Sequence, residues 1–205
     1  MNLRKELPDR KSPFLFLIKF LLSFALLYYF FPFYRGITGP GGTFYSSFLD
    51  TYLNLVKGLT TFLTSTSKFL LEAFHYTVNQ KNYHTIRIDH SNGISVNPSC
   101  LGWGVMSFWV AFVFANSGTW KHKFKWMSFG IVSIMILNIT RITLIALANH
   151  HKWKTITSLD HHQTFNVFSY GCIFLLIYWY ISLQKKYEGS VNSNASQEKH
   201  ALRPI

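Results

Sequence analysis

Cys100, Arg141 and the pair His161-His162 are the side chains of this chain best suited to chemistry. A thiol becomes a nucleophile once it loses its proton, and an imidazole can take that proton and return it to a leaving group. A guanidinium stabilises the negative charge that builds on an attacked carbonyl. These are the parts of a cysteine hydrolase or acyl transferase. Cys100 stands in Asn97-Pro98-Ser99-Cys100-Leu101-Gly102-Trp103-Gly104, where a polar segment turns into an apolar run. Arg141 interrupts a second apolar run, and the histidines precede a third.

Each residue has a plainer reading. A lone cysteine packs as a small apolar side chain, and an arginine near a helix end snorkels to an interface. Against snorkelling, Asn138 lies one turn before Arg141 on the same helical face, which favours a built polar site. The histidine pair, like His150-His151, also suits a wet loop. A disulfide from Cys100 to Cys172 is disfavoured, because Cys172 lies eleven residues past His161, roughly 16 Å deeper by helical rise. There are nine histidines, but neither HExxH nor a CxxC pair accompanies them, so no metal and no cofactor is expected.

Three separate helices have to carry these groups, and the composition suggests that they do so in a membrane. Of 205 residues, 49% are hydrophobic and 18% aromatic, and the net charge is +12. That balance is unusual for a soluble domain. The basic residues cluster just outside apolar runs, where they act as topology signals and contacts for anionic lipid; this argues against nucleic acid as the partner.

The expected fold is an all-α polytopic membrane protein of about four transmembrane helices, with an extracytoplasmic amphipathic helical segment and a small β-hairpin. Residues 1–12 form a basic cytoplasmic N-terminus and residues 13–34 a transmembrane anchor. A signal peptide is the competing reading, but the apolar run is long and Phe31-Pro32-Phe33-Tyr34-Arg35 lacks a small-residue cleavage site. Residues 35–99 are extracytoplasmic or interfacial: a Gly-rich break, then Phe44 to Val78 with apolar residues at helical spacing, lying along the outer surface or packed on the bundle. Alternation around Asn92-Gly93 predicts the hairpin over residues 85–97. Residues 100–183 make a three-helix core: Leu101 to Asn116 inward, the basic loop Lys121 to Lys125 inside, Trp126 to Ala148 outward and Thr164 to Leu183 back in. Residues 184–205 form a polar cytoplasmic tail predicted to be disordered. On this topology Cys100 and the histidines open their helices from outside, and Arg141 lies eight residues before Asn149, roughly 12 Å below the outer end of its helix.

Cys100-Leu101-Gly102 at a helix start, Asn138-Ile139-Thr140-Arg141-Ile142 in the next helix, and His161 with Phe165 and Tyr170 opening the last one resemble the exosortase/archaeosortase family. The resemblance covers roughly residues 95 to 183. The chain departs from it in two places: Leu-Gly follows the cysteine where many members have Ser-Gly, and the glycine often found four residues after the histidine is Phe165, or Asn166 if His162 is the counterpart.

The resemblance implies a membrane-embedded protease and transpeptidase in the cytoplasmic (inner) membrane of a prokaryote, with its site on the outer side. Its partners would be the lipid bilayer and exported proteins that carry a C-terminal sorting signal of short motif, transmembrane helix and basic tail. Cys100 is then the nucleophile, His161 the general base with His162 as the alternative, Arg141 the charge stabiliser and Asn138 a support; Asp160 is available to orient the imidazole. A helical tail would come in sideways between the crossings, with Trp103, Trp109 and Tyr170 either lining its path or contacting lipid. The alternative is a non-enzymatic transporter or envelope assembly factor in which Arg141 binds an anionic group. Against transport, the sequence has neither an inverted repeat nor paired broken helices.

Overall fold

The computed structural model describes residues 13–39, 41–42, 44–89, 91, 93–152, 167 and 170–186, with Ser99 described by its backbone only. The chain divides into two compact units, residues 1–154 and 155–205. The first contains α1 (Pro13–Thr38), α2 (Ser47–Tyr52), α3 (Leu55–Ala73), β1 (Val78–Asn82), β2 (Thr85–Ile88), β3 (Ile94–Ser95), a single 3-10 turn (Pro98–Leu101), α4 (Trp103–Ala115) and α5 (Trp120–His150). Among the described residues of the second unit, residues 170–186 form a helix, roughly 26 Å long at the α-helical rise.

Helices α1 and α5, of 26 and 31 residues, are long and apolar enough to cross a bilayer. The third apolar helix, α4, has 13 residues and spans only about 20 Å against a hydrocarbon core of about 30 Å. Length and composition therefore support two crossings among the described residues; of the other two expected, α4 is short and Thr164 to Leu183 lies partly outside the described residues. Helix α4 is short for a local reason: the chain spends Pro98 to Gly102 on a 3-10 turn and a left-handed glycine before it begins. The basic run Lys121 to Lys125, expected as a loop, is helical and forms the first turns of α5. Lys123 donates from Nζ to the Phe114 carbonyl at 2.8 Å, which satisfies an end carbonyl of α4.

Two layers follow from what each helix has to bury. In the apolar layer, α1 packs on α4 through aromatic rings: Phe20 meets Phe108 edge-on at 5.3 Å, and Phe16 meets Phe112 at 6.2 Å. The other side of α1 leaves Phe14, Leu22 and Leu26 exposed, as suits a helix facing lipid. Helix α4 then locks onto the first half of α5, where Trp109 is fully buried and donates from Nε1 to the Trp126 carbonyl at 3.0 Å.

The second layer caps the first. Helix α3 turns Thr60, Leu63, Thr64, Ser67 and Leu71 inward, a stripe at helical spacing, against the C-terminal half of α5 and the sheet. Ser67 Oγ reaches the Ile139 carbonyl at 3.4 Å, and Thr64 Oγ1 the Tyr83 carbonyl at 2.9 Å. The expected hairpin forms, with Ile86 opposite Ile94, and β1 adds a third antiparallel strand with Val78 opposite Ile88. The single helical segment expected over Phe44 to Val78 is instead α2, a break capped by Asn54, α3 and the start of β1. Val78, Ile86, Ile88 and Val96 bury one face of the sheet with Leu63 and Leu71 of α3 and Ile139, Ile142 and Ala146 of α5.

Two glycines test the packing in opposite directions. A Cβ on Gly130 of α5 would stand 1.8 Å from Trp109 Nε1, so Gly130→Ala is expected to lose about 1–3 kcal/mol through overpacking. Gly58 of α3 has nothing within 4 Å of that position, and Gly58→Ala is expected to gain about 0.5–1 kcal/mol from helix propensity. Thermal unfolding in detergent reads both as midpoint shifts of opposite sign. An unchanged midpoint for Gly130→Ala would refute the α4–α5 interlock.

Candidate active site

Cys100 is the third residue of the 3-10 turn, and its N–H donates to the Asn97 carbonyl at 2.8 Å. Its side chain is partly buried against the core of the cap, while the next residue, Leu101, is wholly buried in it. From there the chain must reverse into α4 within one residue. Gly102 does this at φ +73°, in the left-handed region that favours glycine.

Asn138 holds the turn in place. Its Nδ2 donates to the Leu101 carbonyl at 3.0 Å, and the side chain is only 7% exposed. A carboxamide this deep in an apolar helix is costly unless it is bonded, and a carbonyl just before a chain reversal has no helical partner of its own. The two needs meet here. The approach is so close that a Cβ on Gly102 would lie 2.3 Å from Asn138 Nδ2.

From the opposite side, Trp103 ties the same turn to α1. Its Nε1 donates to the Leu27 carbonyl at 2.9 Å, and its ring stacks on Phe31 at 5.0 Å. Trp103 and Trp109 thus have packing roles that differ from the path-lining or lipid contact expected of them. Tyr170 lies in the second unit and is exposed.

Arg141 sits on α5 three residues after Asn138 and is partly buried. That offset is about 4.5 Å along the helix axis and 60° around it. His161, His162 and Asp160 lie outside the described residues. Both cysteines, Cys100 and Cys172, are free thiols.

A cavity of about 820 Å³ opens beside this turn, bordered by Asn97 and Pro98 just ahead of Cys100 and by Arg35, Asp50, Lys57 and His84. Asp50 accepts from Asn54 Nδ2 at 2.8 Å and Tyr45 Oη at 3.0 Å. These two bonds hold its carboxyl below the usual carboxylate range, and the hydrogen bond to Asp50 in turn pushes the Tyr45 phenol up. Sequence reasoning gave none of these residues a role. They come from α1, α2 and its flanks, α3 and the β1–β2 turn, and no local spacing connects them.

Comparison with known proteins is consistent with this architecture. Neither a curated protein nor a solved structure matches the chain. The family model described as transmembrane exosortase matches residues 14–179, which takes in α1, the cap, the Cys100 turn, α4 and α5. A match over that much of the sequence, on a chain with two apolar helices of crossing length, makes this a membrane protein that belongs to the transmembrane exosortase family.

Proposed function

We propose that the chain is a membrane-embedded cysteine protease and transpeptidase that removes C-terminal sorting signals from exported proteins at the outer face of a prokaryotic cytoplasmic membrane. The observation that carries this reading is the clamped turn: Cys100 is held between α1 and α5 by Trp103 and Asn138, where the apolar layer meets its polar cap. A nucleophile gains most from such preorganisation.

The chemistry assigns each group one task. His161, or His162 in its place, takes the proton of the Cys100 thiol, and the thiolate adds to the scissile carbonyl. Arg141 stabilises the oxyanion of the tetrahedral intermediate. Collapse breaks the C–N bond, and the imidazolium protonates the departing amine, which leaves with the helical tail and its basic end. The thioester on Cys100 is resolved by water to a carboxylate, or by an amine of an envelope component to an amide.

A membrane-impermeant maleimide applied to intact cells tests the placement of the thiol. It is expected to modify Cys100 and to stop tail removal in proportion to labelling. Modification of Cys100 only after the membrane is dissolved, or full modification with processing unchanged, defeats the proposal.

A further inference from the structure

The cavity beside the Cys100 turn lies where α1 ends. Ser46 N–H donates to the Ile37 carbonyl at 2.9 Å, Asn54 Nδ2 approaches the Thr38 carbonyl at 3.4 Å, and Tyr34 Oη bonds the Leu53 carbonyl. These bonds tie α2 and its flanks to the last turns of an apolar helix of crossing length, which is the level of a membrane interface.

Two features converge there. The first is charge. Arg35 from the last turn of α1, Lys57 from the first turn of α3 and His84 from the β1–β2 turn border the cavity, and Asp50 is the one carboxylate among its lining residues. Asp50 accepts hydrogen bonds from two neutral donors, Asn54 and Tyr45, and also feels the charge of Lys57, with which it forms no salt bridge. Lys68 pairs with Glu72 away from this cavity, and Lys57 Nζ stands 5.7 Å from the centre of the Tyr83 ring. His84 Nδ1 is buried with no hydrogen-bond partner among the described residues. The start of α3 opens on the same space and adds the positive end of its dipole.

The second feature is apolar exposure on the segments that flank Asp50 and Asn54 in the chain. Phe44, Phe48, Tyr52, Leu53 and Leu55 are all more than half exposed, with Phe48 and Tyr52 tilted together at 5.1 Å. Five large apolar side chains in a dozen residues form a patch that water does not favour. Beside a cavity that sets two cations next to one carboxylate, at the end of a membrane-crossing helix, the complementary object is an amphiphile whose head carries a phosphate and an ammonium.

We propose that this cavity binds the headgroup of an outer-leaflet phospholipid, with Arg35 and Lys57 on the phosphate and the acyl chains along the exposed aromatic side of α2. A volume of about 820 Å³ is ample for a headgroup and falls in the ordinary range of small-molecule sites. A headgroup with an ammonium beside its phosphate also meets Asp50, which makes phosphatidylethanolamine the appropriate probe. The site stands on the membrane placement and not on the cysteine chemistry, so its failure leaves the proposed reaction untouched.

Native mass spectrometry of the full chain in detergent, titrated with dioctanoyl phosphatidylethanolamine, tests it. One lipid is expected to bind saturably, and dioctanoylglycerol and glycerophosphoethanolamine to bind at least about tenfold more weakly, since each lacks one half of the recognised chemistry. The double variant Arg35→Gln/Lys57→Gln is expected to lose at least about tenfold in affinity with its unfolding midpoint unchanged, while Arg35→Lys/Lys57→Arg retains binding. The proposal fails if the Gln variant binds as the wild type does, if dioctanoylglycerol binds equally, which means apolar adhesion only, or if the soluble headgroup binds equally, which means the apolar patch contributes nothing. It also fails if the charge-retaining variant is as defective as the Gln one.

Discussion

With Cys100 replaced by alanine, exported substrates are expected to keep their C-terminal tails, and tail removal to fall by at least about a thousandfold, the scale typical of losing a covalent nucleophile. Mass spectrometry of secreted and envelope proteins, compared between wild-type and Cys100→Ala cells, reads the retained tails directly and also names the substrates. Arg141→Ala is expected to cost about a hundred- to a thousandfold, as befits a group that stabilises the oxyanion rather than supplying it. His161→Ala and His162→Ala are expected to separate, one close to the Cys100 variant and the other near wild type. A pattern in which Arg141→Ala destroys function while Cys100→Ala is silent instead identifies a protein that binds an anionic group without forming a thioester.

Gly102→Ala is expected to be nearly as damaging without touching a reactive atom. Alanine at φ +73° costs about 1–2 kcal/mol in backbone conformation, and its methyl group would displace Asn138 from the Leu101 carbonyl, at a further cost of about 1–3 kcal/mol for the polar groups left unpaired. A displaced turn also moves the thiol, so processing is expected to drop by about a hundredfold or more. The coupling has a sign. Asn138→Ala alone unpairs the Leu101 carbonyl, but it also clears the space that the Gly102 methyl group needs. The double variant is therefore expected to be less impaired than the sum of the two single ones, a difference measurable as a double-mutant cycle on both unfolding midpoint and processing rate. Strict additivity would mean that the 3.0 Å bond is not what secures the turn.

The sequence already marked several of these positions. Alternation around Asn92-Gly93 announced the hairpin, because one face of β2 has to bury Ile86 and Ile88. The strand β1 was not legible: Val78-Asn79-Gln80-Lys81-Asn82 buries only Val78, so its pairing with β2 is held by backbone bonds that leave no hydrophobic signature. The break between α2 and α3 was hidden by apolar residues that continue in helical register through it, although Asn54, which caps α3 by accepting from Lys57 N–H, is a readable start signal. Asn138 stood out as a polar residue in an apolar helix. Its partner did not, since no local pattern encodes a bond to a carbonyl 37 residues away. Gly130 was the missed clue to Trp109: a glycine in the middle of a membrane helix marks a close approach, and an indole ring fills it.

The rings that bind α1 to α4 also limit how a hydrophobic peptide can arrive. Phe16, Phe20 and Phe24 mesh with Phe108 and Phe112 below, and Trp103 hooks onto Leu27 and Phe31 above, so the α1 flank of α4 is sealed from the bilayer up to the level of the thiol. On the proposed reaction, a tail delivered through lipid would dock on the part of α4 that neither α1 nor α5 covers. Traffic past Cys100 would then be one-sided, and the residues that discriminate among cargo would belong on that remaining face.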